Sequence, residues 1–200
     1  MDPEGRIVGL VLLDDLLGHP DIKDSAAVIL AGGQGVRLRP LTNSTPKPLL
    51  KVGGKPVLEL IIGQLRDSGV NQIYISVNHL ADQVEDYFGD GRNHEVSIQY
   101  LREPQSFGTA GPLSLLPKSL TCPCILVNGD LVTKVSFDRL LDFHTEGGFD
   151  MTIGVKEYPL QFPFGVITTE GDRVVKFQEK PVEIRMINSG VYVLEPSVVN

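Results

Sequence analysis

The stretch Leu30-Ala31-Gly32-Gly33-Gln34-Gly35-Val36-Arg37-Leu38-Arg39-Pro40-Leu41-Thr42 joins a run of glycines to two arginines, and Lys47 follows between Pro46 and Pro48. Glycines after a strand let the backbone approach a phosphate closely and turn N–H groups toward it. Arginine adds a rigid bidentate fork for phosphate oxygens, and lysine a compact point charge. The two prolines hold the backbone around Lys47, so that its charge is placed at low entropic cost. The chain carries 18 Lys and Arg against 25 Asp and Glu, a formal net charge of −7. A cationic cluster beside a glycine loop in such an acidic protein points to a triphosphate. Two familiar phosphate loops do not fit. A Walker-type loop needs Gly-Lys-Ser/Thr, but Gly54-Lys55 runs into Pro56. A dinucleotide fingerprint needs Gly or Ala where Leu38 stands.

Other chemistry-bearing residues point the same way or to nothing. Asn128-Gly129-Asp130 puts a hard carboxylate at the expected end of a strand, where it suits Mg²⁺ with phosphate oxygens completing the shell. Cys122 and Cys124 flank a single proline, and no second Cys or His pair is spaced to complete a zinc site. They read as small apolar residues entering a strand. His79, His94 and His144 have no catalytic or metal-binding spacing and read as surface or packing residues, as does His19. The acidic balance argues against a nucleic-acid partner. The apolar run Ile7 to Leu17 is broken by Asp14 and Asp15, too short for a bilayer span and without a cleavage site for a secretory signal. A soluble, cytoplasmic protein with no membrane partner is expected.

These residues have to be positioned by the elements around them. Ala27 to Leu30 is a short apolar run ending in glycines, as a buried parallel strand should be. Val57, Leu58, Ile61, Ile62 and Leu65 recur at helical spacing up to Gly69. Gln72 to Val77 predicts a strand, Ala81 to Phe88 a helix, Val96 to Leu101 a strand and Ala110 to Leu116 a helix. Cys124 to Val127 predicts a further buried strand, and Ser136 caps a predicted helix running to about His144, with a strand from Met151 to Val155 behind it. This alternation predicts a three-layer αβα sandwich on a mainly parallel, Rossmann-like sheet, with ligands at the carboxyl ends of strands. Gly165 to Thr169 and Arg173 to Phe177, joined by Glu170-Gly171-Asp172, predict a small β-hairpin extension covering one side of the cleft. No internal repeat or low-complexity stretch is visible, and 200 residues with 42% hydrophobic content suit one ordinary core.

Leu30-Ala31-Gly32-Gly33-x-Gly35-x-Arg37-Leu38 followed by Pro46-Lys47-Pro48-Leu49 resembles the signature of the sugar-1-phosphate nucleotidyltransferase family. Glu103-Pro104-Gln105-Ser106-Phe107-Gly108-Thr109-Ala110-Gly111-Pro112-Leu113 resembles its base-recognition segment, with Phe107 where leucine is more usual. Asn128-Gly129-Asp130 resembles its strand-end aspartate, Glu179-Lys180-Pro181 its Glu-Lys-Pro motif, and Ile187 to Tyr192 its Asn-x-Gly strand. The motifs stand in family order from about Ala26 to Pro196.

The resemblance implies in-line attack of a sugar 1-phosphate on the α-phosphorus of a nucleoside triphosphate, with release of pyrophosphate. Leu30, Ala31, Gly32, Gly33, Gln34 and Gly35 would wrap the nucleoside and α-phosphate, while Arg37 and Lys47 would hold the β- and γ-phosphates. Asp130 would bind Mg²⁺. Gln105, Gly108 and Thr109 would meet the base, and Lys180 the phosphate of the sugar. Asn128, Gly165, Glu179 and Asn188 would bind the sugar. The segment from Phe107 to Leu113 looks most like the mannose-1-phosphate guanylyltransferase branch, which implies GTP and mannose 1-phosphate, with another hexose or hexosamine 1-phosphate as the related option. A non-catalytic nucleotide-sugar sensor is the alternative, and a homo-oligomer is compatible with either.

Both ends extend this expectation. The family's second metal-binding aspartate lies beyond its Asn-x-Gly strand, so residues 25–200 are expected to be a C-terminally incomplete catalytic domain. Gly5 to Leu17 resembles the closing strand and helix of a CBS module, with Leu12 where that motif carries Ser or Thr, so residues 1–24 read either as a linker with a CBS remnant or as an N-terminal strand and helix that pad the core.

Overall fold

Apolar runs bounded by glycine and polar turns fold as strands, and the striped segments between them fold as helices that close over one face. The computed structural model describes residues 25–117 and 120–199. In chain order the elements are β1 (Ala26–Leu30), β2 (Lys51–Val52), β3 (Lys55–Pro56), α1 (Val57–Asp67), β4 (Gln72–Val77), α2 (Ala81–Phe88), β5 (Ser97–Arg102) and β6 (Cys124–Asn128). They continue with α3 (Phe137–Gly147), β7 (Met151–Gln161), β8 (Val166–Glu170), β9 (Arg173–Gln178), β10 (Val182–Leu194) and α4 (Pro196–Val199). The expected CBS remnant, the linker with His19 and the 1–24 boundary lie outside the described residues.

One six-stranded sheet carries the fold, in the order β5-β4-β1-β6-β10-β7. β1 pairs in parallel with β4 and β6, and β4 with β5, while β10 runs antiparallel to both β6 and β7. The sheet is mainly parallel, with an antiparallel ribbon closing one side. Helices α1, α2 and α3 pack on one face through Leu58, Ile61, Ile62, Leu65, Val84, Phe88, Phe137 and Leu141, against Ile29, Ile75, Val127 and Val193 of the strands. The opposite face is covered more thinly. There Val28, Tyr74, Leu101 and Leu126 meet Leu113, Leu115, Leu116, Leu120 and Val199.

Local chemistry explains the element ends. α1 stops because Ser68 is followed by Gly69 at φ 82°. The N–H of Gly69 reaches the carbonyl of Arg66 at 2.8 Å and that of Val70 the carbonyl of Leu65 at 2.9 Å, a Schellman pair. Ser136 stands at the N-cap of α3, but its hydroxyl donates to the Asp138 carboxylate rather than accepting from the helix backbone. The helix runs on to Gly147, beyond the predicted stop, because Gly148 takes the left-handed turn (φ 60°) that ends it. The segment predicted as a helix at 110–116 is a 3₁₀ turn over Gly111–Leu115, with Pro112 in its first turn. A 3₁₀ turn tightens short pieces like this one. Cys124 is wholly buried in β6, and burial pushes its thiol up to about 12.

β7 and β10 are longer than predicted. They pair as a ribbon from Gln161↔Val182 to Met151↔Leu194, buried at its β6 end (Val191, Val193, Leu194) and exposed beyond it, and the β8–β9 hairpin sits between them in sequence. Ile61 is fully buried and Val174 is 63% exposed. Ile61→Ala should therefore lower unfolding free energy by about 2–5 kcal/mol in urea titrations. Val174→Ala should stay within about 0.5 kcal/mol of the parent.

Candidate functional site

Parallel pairing brings three strand ends abreast. Leu30 stands opposite Ser76 of β4 on one side and Asn128 of β6 on the other. Beyond those ends the backbones stay joined: the Ala31 N–H donates to the Ser76 carbonyl and the Gly129 N–H to the Leu30 carbonyl, each at 2.9 Å. The second contact is close enough to require glycine. A Cβ on Gly129 would stand 2.7 Å from the Leu30 oxygen and 3.3 Å from the Ala31 Cα. Asp130 is thereby carried to the mouth of the glycine loop.

The loop itself is folded around Gly35, at φ 62°. Its carbonyl accepts a 2.8 Å hydrogen bond from the buried Thr42 hydroxyl. A Cβ on Gly35 would meet Thr42 Cγ2 at 2.8 Å and Lys47 Cβ at 3.2 Å. Lys47 opens a 3₁₀ turn over Lys47–Leu49, with Pro46 at its N-cap and Pro48 buried beneath it. The Lys47 ammonium forms an ion pair with Asp130 Oδ2. Both side chains are about a third exposed (32% and 39%), and a pair that open to water contributes only about 0–1 kcal/mol. An incoming anion for Lys47, or a cation for Asp130, displaces it at little cost. Arg37 makes no ion pair with another described residue, so its guanidinium fork is available.

These groups share a cavity of about 410 Å³, within the usual size range of ligand pockets. Of the residues expected from the sequence, Leu30, Ala31, Gly32, Gly33, Gly35, Arg37, Lys47, Gly108, Thr109, Asn128 and Asp130 line it. Gln34 and Gln105 are exposed and do not. Glu103 and Ser106 do line it, although neither stood out in the sequence as a site residue. The available signal for Glu103 was its place one residue past β5, a carboxylate at the carboxyl end of a sheet strand. Its Oε2 accepts from the Phe107 N–H at 2.9 Å, and its Oε1 from the Ser76 hydroxyl. The Phe107 side chain lies against Gly111, where an added Cβ would fall 2.2 Å from Phe107 Cβ.

Among the described residues, none beyond Asp130 lines the cavity. Gly165, Glu179, Lys180 and Asn188 all stand exposed on the ribbon and its hairpin. Gly165 and Glu179 are neighbours, since a Cβ on Gly165 would lie 3.2 Å from Glu179 Oε2. Lys180 has φ 44°, a left-handed turn into β10. Asn188 is engaged locally: its Nδ2 donates to the Tyr192 hydroxyl, and its Oδ1 accepts from the Gly190 N–H at 2.9 Å across a β-bulge. The expected hairpin exists, but it extends the ribbon instead of walling the cavity.

Among the described residues no group of three or more His, Cys, Asp and Glu could hold a metal ion. A cation at Asp130 would therefore need oxygens from a bound substrate. Two of the described histidines are engaged in packing. His144 is buried, with its ring nitrogens 2.8 Å from Thr152 Oγ1 and 3.1 Å from Glu195 Oε1, and His94 packs 5.2 Å from the Phe88 ring.

The Nucleotidyl transferase family matches residues 26–200. The chain belongs to that family. It is 35% identical over 193 residues to the mannose-1-phosphate guanylyltransferase catalytic subunit beta of Drosophila melanogaster, covering 92% of this chain and 52% of that protein. It is 34% identical to a UTP–glucose-1-phosphate uridylyltransferase of Synechocystis, covering 88% of this chain and 50% of the relative. This nucleotidyl transferase chain thus spans about half the length of the relatives it matches. Among solved structures, HddC from Yersinia pseudotuberculosis superposes with a TM-score of 0.67 at 27% identity, over 87% of this chain and 78% of that one. The same protein complexed with GMP-PN gives 0.66 at 26%, with the same two coverages. Among the described residues no helix is long and apolar enough to cross a membrane.

Replacing Gly129 by alanine forces the tip of β6 away from Leu30 and carries Asp130 with it. Gly129→Ala should lose about 1–3 kcal/mol of stability in urea titrations. It should also bind nucleoside triphosphate at least about tenfold more weakly in calorimetry.

Proposed function

We propose that the protein transfers a nucleotidyl group from a nucleoside triphosphate, preferably GTP, to a sugar 1-phosphate, preferably mannose 1-phosphate, on the domain formed by residues 25–200. A phosphate oxygen of the sugar 1-phosphate attacks the α-phosphorus, and the bond to the α–β bridging oxygen breaks. The electron pair leaves with pyrophosphate, and the nucleotide sugar remains. Such chemistry asks the protein chiefly for positioning and charge neutralisation.

The observation that carries the reading is the convergence of Arg37, Lys47 and Asp130 on one cavity beside the glycine loop. Backbone groups of Leu30 to Gly33 cradle the nucleoside and α-phosphate, and Arg37 and Lys47 take the β- and γ-phosphates and stabilise the departing pyrophosphate. Asp130 would hold Mg²⁺, for which a hard carboxylate completed by phosphate oxygens is a fitting donor set. When bound, Mg²⁺ would neutralise charge on the phosphates. Lys180, Glu179, Gly165 and Asn188 would receive the sugar phosphate, with Asn128 at the cavity edge.

Three points support guanine over other bases. The Drosophila relative is named a guanylyltransferase, and the Yersinia protein was solved with GMP-PN. The cavity also presents the Glu103 carboxylate beside Gly108 and Thr109. A carboxylate accepts only, and the guanine edge offers adjacent N1–H and N2–H donors to match it.

Pyrophosphate release from GTP and mannose 1-phosphate with Mg²⁺ tests the assignment. Arg37→Ala should lower kcat/KM by about 10²–10³-fold, as expected for a lost transition-state donor, with the loss visible in kcat. Binding of GTP without turnover for any sugar 1-phosphate would replace the transferase reading by a sensor.

A further inference from the structure

Ser76 is a polar residue in the otherwise apolar end of β4, and it is wholly buried. By strand alternation it shares the Tyr74 face, while Ile73, Ile75 and Val77 point into the helix-covered core. A buried hydroxyl is unfavourable without a partner. Ser76 has one: its hydroxyl donates to Glu103 Oε1. Asn78, two residues on, donates from Nδ2 to the Glu103 carbonyl at 2.7 Å. The other carboxylate oxygen accepts from the Phe107 N–H at 2.9 Å. Gly32 completes the enclosure, since a Cβ there would stand 2.7 Å from Glu103 Oε1 and 3.3 Å from Asn78 Cβ. Glu103 is thus held by its carbonyl and by both carboxylate oxygens, between the glycine loop and the segment that carries Gly108 and Thr109.

We propose that Ser76 is a positioning residue for base selection, orienting the Glu103 carboxylate so that one free lone pair on each oxygen faces the nucleobase. Ser76 does not line the cavity and acts only through Glu103. The inference rests on the reading of Glu103 as an acceptor for guanine. Each carboxylate oxygen has about two acceptor sites. The Ser76 hydroxyl and the Phe107 N–H take one apiece and leave one on each oxygen, a fixed pair spaced for the adjacent donors of guanine. Without the Ser76 bond the carboxylate is tethered at Oε2 alone and rotates, so the pair loses its aim while the phosphate-binding groups stay in place.

The test compares affinities of the 200-residue chain for GTP, for ITP, which lacks the 2-amino group, and for inorganic tripolyphosphate. Wild type should prefer GTP over ITP by about tenfold or more, the worth of a hydrogen bond to a charged acceptor. Ser76→Ala should bring that ratio to within about threefold of unity while tripolyphosphate affinity stays within about twofold. Ser76→Thr, which restores the hydroxyl, should recover the preference. If Ser76→Ala melts below the assay temperature, Ser76→Cys, near in shape but a weak donor, carries the same comparison. An unchanged GTP-to-ITP ratio in a folded variant overturns the positioning role. So does parallel weakening of all three ligands, which is what a purely structural serine would give. A wild type with no preference for GTP overturns the base reading and this inference with it.

Discussion

The contact between the tip of β6 and the end of β1 governs the whole site. Gly129 lies so close to the Leu30 carbonyl that no side chain fits, and the 2.9 Å hydrogen bond between them locks the approach. Asp130 follows immediately, so its carboxylate is set by backbone geometry rather than by side-chain packing. The opposing cation is placed by equally stiff means, in a short turn bounded by prolines. Two rigid backbone features thus bring opposite charges face to face across a cavity, and the Lys47–Asp130 pair is the resting outcome. A pair about a third exposed stabilises the fold little, and that would suit groups exchanging each other for ligand charges.

Energetics divide the molecule in two. The sheet from β5 to β6, backed by α1, α2 and α3, holds most of the buried apolar side chains among the described residues. This half forms a rigid platform whose strand ends carry the glycine loop and Asp130. The ribbon of β7 and β10 with its hairpin leaves Tyr158, Leu160, Ile167, Phe177, Ile184 and Met186 exposed. Few buried apolar contacts mean low local stability. The residues expected to meet the sugar sit on this less anchored part, and those expected to meet the triphosphate sit on the platform. On the proposed reading, positioning of the nucleotide would be built into the core, whereas the acceptor side would depend on how the ribbon is placed.

Much of this was legible in the residues themselves. The stripe of Val57, Leu58, Ile61, Ile62 and Leu65 with Gly69 behind it determines α1 and its stop, because helical periodicity and a left-handed cap are local properties. The run from Ala26 to Leu30, its glycines, and the charges at Arg37 and Lys47 likewise marked the loop that lines the cavity, since close backbone approach and positive charge belong to residue types. Less legible were the lengths of β7 and β10, which depend on cross-strand pairing that no single segment displays. The turn over Gly111–Leu115 misled for a related reason: its apolar spacing imitates a helix, and only packing beneath Leu101 and Leu126 decides otherwise.

The sequence alone determined the main β-α alternation, the cationic glycine loop and the acidic strand tip, because each is written in neighbouring residues. Tertiary structure alone decided that Glu103 rather than Gln105 faces the cavity, and that Ser76, twenty-seven positions earlier in the chain, holds it there. It also decided that Gly165, Glu179, Lys180 and Asn188 stand apart from the cavity. The physical reason is that contacts across a sheet are set by strand order and register, which bring together residues that no local pattern connects.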